Sequence, residues 1–289
     1  MKSCFISIMA GIVCLATSSS AAPMENEEKG PTPLEIVESI AAPLTVSQIV
    51  NELIEPFVQP NPFLPDPDTV LLIDMHAQID DPTAGDVVRD LSGNGNHALV
   101  YGDPQFIRHD TGCMNAIQFA EADKLVVAHS PSLDITQQIT IEAWIQTNTD
   151  MGYLLLKKGS YGFPKFLASQ VVFSYFHLQK LNNYPYFAVT QPEATDGKWH
   201  YFAATYDGKV IRYYLDGELS KELVQVDYIR SSANGVVIGH SEGWHAHDRI
   251  NFAGKFSSLR VSNRARSPDE IRHSADIGNA LLHGIGCSV

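Results

Sequence analysis

The pattern of hydrophobic and polar residues changes character at Val70. From there on, apolar and polar residues alternate with the period of two that is typical of β-strands. In the run ITIEAWIQ, for example, Ile139, Ile141, Ala143 and Ile145 fall on one face. Many such short runs, separated by turn residues about every 8 to 12 positions, predict an all-β fold, a jelly-roll β-sandwich of two antiparallel sheets.

Two Asp-Gly pairs mark hairpin turns late in the chain. They occur in YDGK and LDGE, between the strand-like runs KWHYFAATY, KVIRYYLD and ELSKELVQV. Asp-Gly between strands is a strong hairpin signal, because both central residues of the tightest turn need a positive φ. Residues 198 to about 226 are therefore predicted to form a three-stranded meander.

One helix is predicted within this β-rich region, in the sequence SPDEIRHSA. Ser267 can cap its amino end, Pro268 suits the first helical position and Glu270 completes a capping box. We expect the helix to follow the last strand.

Residues 22–55 show helical periodicity instead. The runs TPLEIVESIAA and TVSQIVNELIEP each begin with a threonine cap, and in the second run Val46, Ile49, Val50 and Leu53 share one face. Three interpretations stay open for this acidic helical segment: a propeptide, a segment that docks a partner or drives oligomerisation, or helices folded onto the main body.

A proline-rich stretch follows at residues 56–69. PFVQPNPFLPDPD is typical of an extended linker. Residues 22–69 together contain nine Asp and Glu residues against Lys29 alone. They therefore carry much of the negative charge of the chain.

The first 21 residues are typical of a secretory signal peptide. Lys2 precedes the apolar run CFISIMAGIVCLA, and small residues follow, with cleavage expected after Ala21. This apolar run is short for a membrane span, and no later segment approaches about 20 apolar residues. We expect a secreted, extracellular protein without a transmembrane segment, or a periplasmic one if the source is bacterial.

Two cysteines, Cys113 and Cys287, remain after removal of the signal. In an oxidising compartment such a pair favours a disulfide that fastens the tail to the body. The alternative is two free, buried thiols.

The charge balance argues against two classes of partner. With 20 Lys and Arg against 33 Asp and Glu, the formal net charge is −13. Phosphate backbones and anionic lipid surfaces would repel such a chain, so nucleic acid is not an expected partner.

Several motifs resemble one known family. DLSGNGNHA, LLLKKGSYG, DGKWHYFAATYDGKVIRYYLDGEL and FAGKFSSLRVSNRARSPDEI occur in the order and spacing of the LamG-like jelly-roll family of the concanavalin A-like lectin/glucanase superfamily. The resemblance covers residues 70–276 and leaves 277–289 as a C-terminal tail. It implies a LamG-like sandwich, but it says less about function, because one fold hosts many functions.

The glycine-rich loop RDLSGNGNHALVYG has two interpretations. It can be a structural turn, in which Gly93 and Gly95 supply unusual backbone angles. The resemblance also implies a calcium site, since calcium prefers carboxylate and carbonyl oxygens. The candidate ligands are Asp90, Asn94 and Asp123, although serines replace an acidic pair of the family at 257 and 258.

Catalysis is not expected, although the superfamily includes glycoside hydrolases. Their chemistry needs two carboxylates flanking the bond, which on a strand would stand at alternating positions. The chain has no such run, and Glu142 stands alone in its strand. We expect Glu142 to face solvent, His200 to be an ordinary strand residue, and Trp144 and Trp199 to anchor the core.

The most unusual stretch is HSEGWHAHD, residues 240–248. Trp244 can stack on a sugar ring, while His245, His247 and Asp248 can bond its hydroxyls. The spacing of the histidines matches no standard zinc site. The alternatives are a metal site or an exposed loop without a special role.

Together these observations favour a secreted, non-catalytic recognition module for carbohydrate. The alternative is an extracellular structural or protein-interaction domain, for which the N-terminal helices argue. An atypical carbohydrate-active enzyme is the third hypothesis. The expected partner is thus a glycan or an extracellular protein, and the oligomeric state stays open.

Overall fold

A computed structural model describes residues 63–77, 86–108, 114–120, 122–149, 151–167, 170–173, 187–189, 192–240 and 251–284. The chain divides into two compact units at Val58/Gln59, and every described residue lies in the second. The predicted signal peptide, the acidic helical segment and the first part of the linker lie outside the described residues.

Sixteen strands and one helix are described. In chain order the strands are β1 Thr69–Asp74, β2 Val87–Val88, β3 Ala98–Tyr101, β4 Gln105–Ile107, β5 Ala116–Phe119, β6 Lys124–Val127, β7 Ile139–Gln146, β8 Met151–Lys157, β9 Tyr161–Leu167, β10 Gln170–Phe173, β11 Phe187–Val189, β12 Trp199–Tyr206, β13 Val210–Leu215, β14 Glu218–Val224, β15 Val236–Ile238 and β16 Gly254–Ser262. Helix α1 spans Pro268–Leu282, and two short 3-10 helices span Pro131–Leu133 and Pro192–Thr195.

The strands form two eight-stranded sheets, in agreement with the predicted jelly-roll sandwich. The first sheet has the order β14-β13-β12-β7-β16-β5-β4, and β1 pairs with β16 beside β5. The second sheet has the order β11-β10-β9-β8-β15-β6-β3-β2. The paired strands run antiparallel, so neighbouring side chains on one face can be read directly from the register.

The main core lies between the two sheets. The predicted inward residues of β7, from Ile139 to Ile145, are at most 1% exposed and belong to this core. The second sheet contributes Leu125, Val127 and Ile238 to the same cluster.

A second apolar cluster covers part of the outer face of the first sheet. Trp144 and Tyr201 of the sheet pack there against Ile271 of α1 and against Phe63, which lies before β1. The outward residues Thr140, Glu142 and Trp144 of β7 are buried as well, because α1 and the chain around Phe63 cover that part of the face.

The predicted meander is formed by β12, β13 and β14. Asp216 and Gly217 join the last two strands, and their φ angles are 51° and 84°. The first hairpin differs from the expectation, since only Gly208 has a positive φ, of 88°. Its loop contains Lys209 as a third residue, and longer loops of this kind need only one left-handed position.

The predicted start of α1 is also confirmed. Ser267 accepts a hydrogen bond from the backbone of Glu270, and the Glu270 side chain accepts one from the backbone of Ser267. The helix runs on to Leu282, into the residues assigned to the tail. Gly278 lies against Trp144, where a Cβ atom would overlap the indole ring.

The described chain begins inside the predicted linker, at a residue that is fully buried. Phe63 is 0% exposed, and its ring lies 4.8 Å from the guanidinium carbon of Arg260. Asp66 forms ion pairs with Arg264 and Arg266 at 3.2 and 2.9 Å. Residues 63–68 therefore pack on the sandwich.

Candidate functional site

The glycine-rich loop is folded around the carboxylate of Asp90. This buried carboxylate accepts hydrogen bonds from the backbone of Leu72, Ser92 and Asn96, each at 2.9 Å, and from the Ser92 hydroxyl at 2.8 Å. Gly93 supplies the left-handed turn, with φ 86°. These hydrogen bonds explain the glycine-rich motif as a structural turn that wraps a buried carboxylate.

The three predicted calcium ligands fall into two separate hydrogen-bonded sets. Asn94 shares the loop with Asp90 and donates to the carbonyl of Thr69 at 3.0 Å. Asp123 instead accepts from the backbone of Asp103 and Ala120, at 2.8 and 2.7 Å. The described residues contain no group of three or more His, Cys, Asp or Glu residues that could hold a metal. The calcium site stays a prediction.

The predicted sugar-binding residues Trp244, His245, His247 and Asp248 lie outside the described residues. The same is true of Cys113 and Cys287, so the disulfide also stays a prediction. The description stops at residue 240 and resumes at 251.

A polar cleft of about 380 Å³ opens where β7 ends and β16 begins. Its lining is mainly amide and hydroxyl side chains, together with one ammonium group and short stretches of backbone. The lining residues are Gln118, Phe119, Gln146, Thr147, Asn148, Thr149, Gly197, Ala253, Gly254 and Lys255.

Hydrogen bonds between three chain segments fix the floor of the polar cleft. The hydroxyls of Thr147 and Thr149 donate to the carbonyl of Ala253, at 2.7 and 2.9 Å. The backbone of Gly197 donates to Thr147 at 3.1 Å, and its carbonyl accepts from the Gln146 amide at 2.9 Å. The cleft is thus held open by local bonding within its wall.

Three side chains of the polar cleft have no such bonding. Gln118 and Asn148 are exposed and Lys255 is half-buried. Within the described part of the chain, none of the three forms a side-chain hydrogen bond or ion pair. They are available to a ligand.

The strand register extends these groups into a row across five strands. Lys255 of β16 lies opposite Gln118 of β5 on one side and Gln146 of β7 on the other. Gln118 in turn lies opposite Gln105, and Gln146 lies opposite Trp199 of β12. We call Gln105, Gln118, Lys255, Gln146 and Trp199 the polar row. It spans four strand spacings, about 19 Å.

The polar row lies on the outer face of the first sheet. Its residues alternate with core residues of the same strands, such as Ile117, Ile145 and Phe256. Trp199 at the end of the row is partly buried and packs against the outer apolar cluster. Part of the Trp199 side chain therefore packs in the outer apolar cluster, and the rest of it is exposed to solvent.

Sequence reasoning missed the polar row. Alternation alone would have placed Gln118, Gln146 and Lys255 on outward positions. These residues are far apart in the sequence, so their proximity in the sheet cannot be seen without the cross-strand register.

An ionic cluster lies at the start of β12. The two ring nitrogens of His200 contact the carboxylates of Asp216 and Asp196, at 2.8 and 3.2 Å. The hydrogen bond with Asp216 is the largest cause that raises the pKa of His200, and burial opposes it. His200 is therefore more than an ordinary strand residue, because it links the β13–β14 turn to the loop before β12.

A second, smaller cleft of about 260 Å³ lies at the opposite end of β7. Gln137, Gln138, Asp207, Asp227 and Tyr228 are among its lining residues. Asp207 is engaged by Arg212 at 2.9 Å. This second cleft contains carboxylates, whereas the described lining of the polar cleft contains none.

Comparison with known structures shows the same fold. The binding domain of Paraclostridial Mosquitocidal Protein 1 superposes with a TM-score of 0.53 and 13% identity, over 72% of this chain and 52% of that one. The binding domain of botulinum neurotoxin DC in complex with rat synaptotagmin II gives 0.55 and 13%, over 74% and 52%. The same toxin domain in complex with SialylT gives 0.53 and 12%, over 74% and 51%.

This chain thus spans about half the length of those chains. No curated protein sequence matches it. Within the described residues, none of the helices has the length and apolar character needed to cross a membrane.

A family model provides the assignment. The Laminin_G_3 model, described as concanavalin A-like lectin/glucanases superfamily, matches residues 119–272, which is more than half of the chain. The match includes β7, β12 and β16, three of the five strands of the polar row, and ends within α1. The chain therefore belongs to the Laminin_G_3 family of the concanavalin A-like lectin/glucanase superfamily.

Proposed function

We propose that this protein is a non-catalytic carbohydrate-recognition module that binds its ligand along the polar row. The observation that carries the proposal is the set of amide and ammonium groups without protein partners in a preformed cleft. Such groups can exchange bonds with water for bonds with sugar hydroxyls. The binding energy then depends on how well their positions match the ligand.

Trp199 complements these polar groups. Ring faces of aromatic residues pack well against flat apolar surfaces, such as one face of a pyranose. Trp199 lies opposite Gln146, at one end of the polar row. One sugar ring could therefore stack on the indole while the neighbouring sugar units form hydrogen bonds with the amides of the row. The loop residues Trp244, His245, His247 and Asp248 remain further proposed contacts.

A binding role fits the chain better than hydrolysis. Glycoside hydrolysis usually needs two carboxylates on either side of the bond. The described lining of the polar cleft contains no Asp or Glu. The neighbouring structures are binding domains by name, one of them in complex with SialylT, and this supports recognition by analogy of fold.

We also propose that the module acts outside the cell. The signal-like residues 1–21 support export, and the pair Cys113 and Cys287 would suit an oxidising compartment. Calcium bound through Asp90, Asn94 and Asp123 remains part of the proposal as a stabiliser of the domain.

The test is binding of the full chain to an array of glycans and polysaccharides, with calcium and with chelator. The wild type should bind selectively, and the double variant Gln118→Ala/Asn148→Ala should lose most of this signal. Gln137→Ala, which changes the second cleft, is the matched control and should bind as the wild type. A blank array from folded wild-type protein would contradict the proposal for the glycans sampled.

A second candidate function is recognition of another protein. On the outward side of the second sheet, successive strands place apolar residues opposite one another: Val87, Leu99, Val126, Val237 and Leu156. The first two are exposed, the next two half-buried, and Leu156 is buried. We call these residues the aliphatic row. Outer faces of antiparallel sheets are usually polar, so such a row is typical of an interaction surface.

The charges beside the aliphatic row indicate the kind of partner. Val87 and Leu99 are 48% and 45% exposed. Lys124 and Tyr101 flank the row, and Lys158 lines a groove of about 140 Å³ on it. A partner segment with alternating apolar and acidic residues would match both features. Leu99→Thr/Val126→Thr should then abolish binding of such a partner and leave glycan binding intact.

A further inference from the structure

Lys255 distinguishes the polar cleft from a site for neutral sugars alone. It is half-buried on β16, between Gln118 and Gln146 on the neighbouring strands. Two other lysines of the described chain are paired with acids, Lys157 with Asp134 and Lys198 with Asp196. Lys255 has no acidic neighbour within ion-pair distance among the described residues.

The ammonium of Lys255 places a positive charge in the wall of the polar cleft. A cation in a cleft attracts anions, and an anionic ligand would form a charge-assisted bond with it. The described lining of the polar cleft supplies no carboxylate, although the whole chain carries 33 Asp and Glu residues. The missing negative charge can therefore come from a ligand.

The neighbours of Lys255 suit an anionic group. The Gln146 amide is held in place by its bond to the carbonyl of Gly197 at 2.9 Å, and Gln118 is free on the other side. Amide N–H groups on both sides of an ammonium can donate to the oxygens of one carboxylate or sulfate. Hydrogen bonds that involve charge are about twice as strong as neutral ones.

We propose that the carbohydrate bound along the polar row is acidic, and that Lys255 receives its carboxylate or sulfate group. This inference rests on the proposed carbohydrate function and specifies its ligand class. Trp199 lies two strands away from Lys255, about 10 Å, so the charged group and the stacked ring belong to different sugar units. The ligand is then an oligosaccharide that contains uronate or sulfated units.

The test compares matched sugars that differ in charge alone. Titration calorimetry on the full chain would use trigalacturonate against its methyl ester, and a sulfated carrageenan oligosaccharide against its desulfated form. At least one acidic member should bind about tenfold more tightly than its neutral partner, as expected for a charge-assisted bond. In Lys255→Gln this preference should disappear, so that the acidic and the neutral member of each pair bind about equally.

Lys209→Gln is the matched control, because it removes an exposed lysine at the opposite end of β12 from Trp199. It should keep the preference for the acidic sugar. If wild type binds both members of every pair equally, the acidic-ligand inference is wrong and the carbohydrate function stands. If no member of either pair and no array glycan binds, both proposals are overturned.

Discussion

Glu142 and Arg260 form a buried ion pair across neighbouring strands, on the outer face of the first sheet. The Nε and Nη2 groups of Arg260 donate to the two carboxylate oxygens of Glu142, at 2.8 and 3.0 Å. The Tyr201 hydroxyl donates to the same carboxylate, and Arg266 lies 3.3 Å from it. The expectation that Glu142 faces solvent is wrong. It does point to the outer face, but α1 covers that part of the face.

Removing one partner of this pair should be strongly destabilising. Arg260→Met leaves the Glu142 charge with poorer compensation in a buried site, which typically costs about 3–5 kcal/mol. Urea unfolding would measure the loss. The double variant Glu142→Gln/Arg260→Met should recover part of it, because no unpaired charge remains. A double variant less stable than Arg260→Met alone would contradict this account.

Substitution of Gly278 tests the close packing of α1. Alanine is favoured over glycine in helices by about 1 kcal/mol. At this position, however, the added methyl group would overlap the indole ring of Trp144. Overpacking of this kind costs about 1–3 kcal/mol, so the expected net effect of Gly278→Ala is destabilisation. Thermal unfolding would measure it.

Asp276→Ala provides the control for Gly278→Ala. Asp276 is exposed on the same helix, and its substitution should change stability by less than about 0.5 kcal/mol. Equal stability of Gly278→Ala and wild type would mean that α1 packs less closely than described.

The His200 cluster predicts a pH-dependent contribution to stability. Its folded pKa is raised above the ordinary value, chiefly by Asp216. The stabilisation is therefore fully present below the pKa of the unfolded state, about 6.5, and is lost as pH rises through the folded pKa. The difference in unfolding free energy between wild type and His200→Gln should be larger at pH 5.5 than at pH 9.

His273→Gln is the control for this pH effect, since His273 is exposed on α1. It should show no comparable change with pH. A His200→Gln difference that stays constant across the range would exclude a role for the imidazolium.

Asp90→Asn separates the two interpretations of the glycine-rich loop. The amide keeps one acceptor oxygen, whereas the carboxylate uses both, for four hydrogen bonds. A lower melting temperature is expected, because buried donors lose their acceptor. If calcium binds here, calcium should raise the melting temperature of the wild type relative to chelator, and raise that of Asp90→Asn by less. Equal curves with calcium and with chelator would leave the loop as a structural turn.

The sequence by itself determined the features that depend on neighbouring residues. The alternation around Ile141 predicted a strand of the sandwich, Asp216 and Gly217 predicted a turn, and Ser267 with Glu270 predicted the start of α1. Each of these signals acts over a few residues, through side-chain period, backbone angle or a local cap.

The tertiary structure decided which outward positions are covered and which remain open. Glu142 and Gln146 lie on the same face of one strand, but only the first lies beneath α1. The polar row likewise depends on the register that places Lys255 between Gln118 and Gln146. Alternation determines on which face of the sheet a side chain lies. Its burial and its neighbours on that face depend on packing between residues that are far apart in the sequence, which no local pattern encodes.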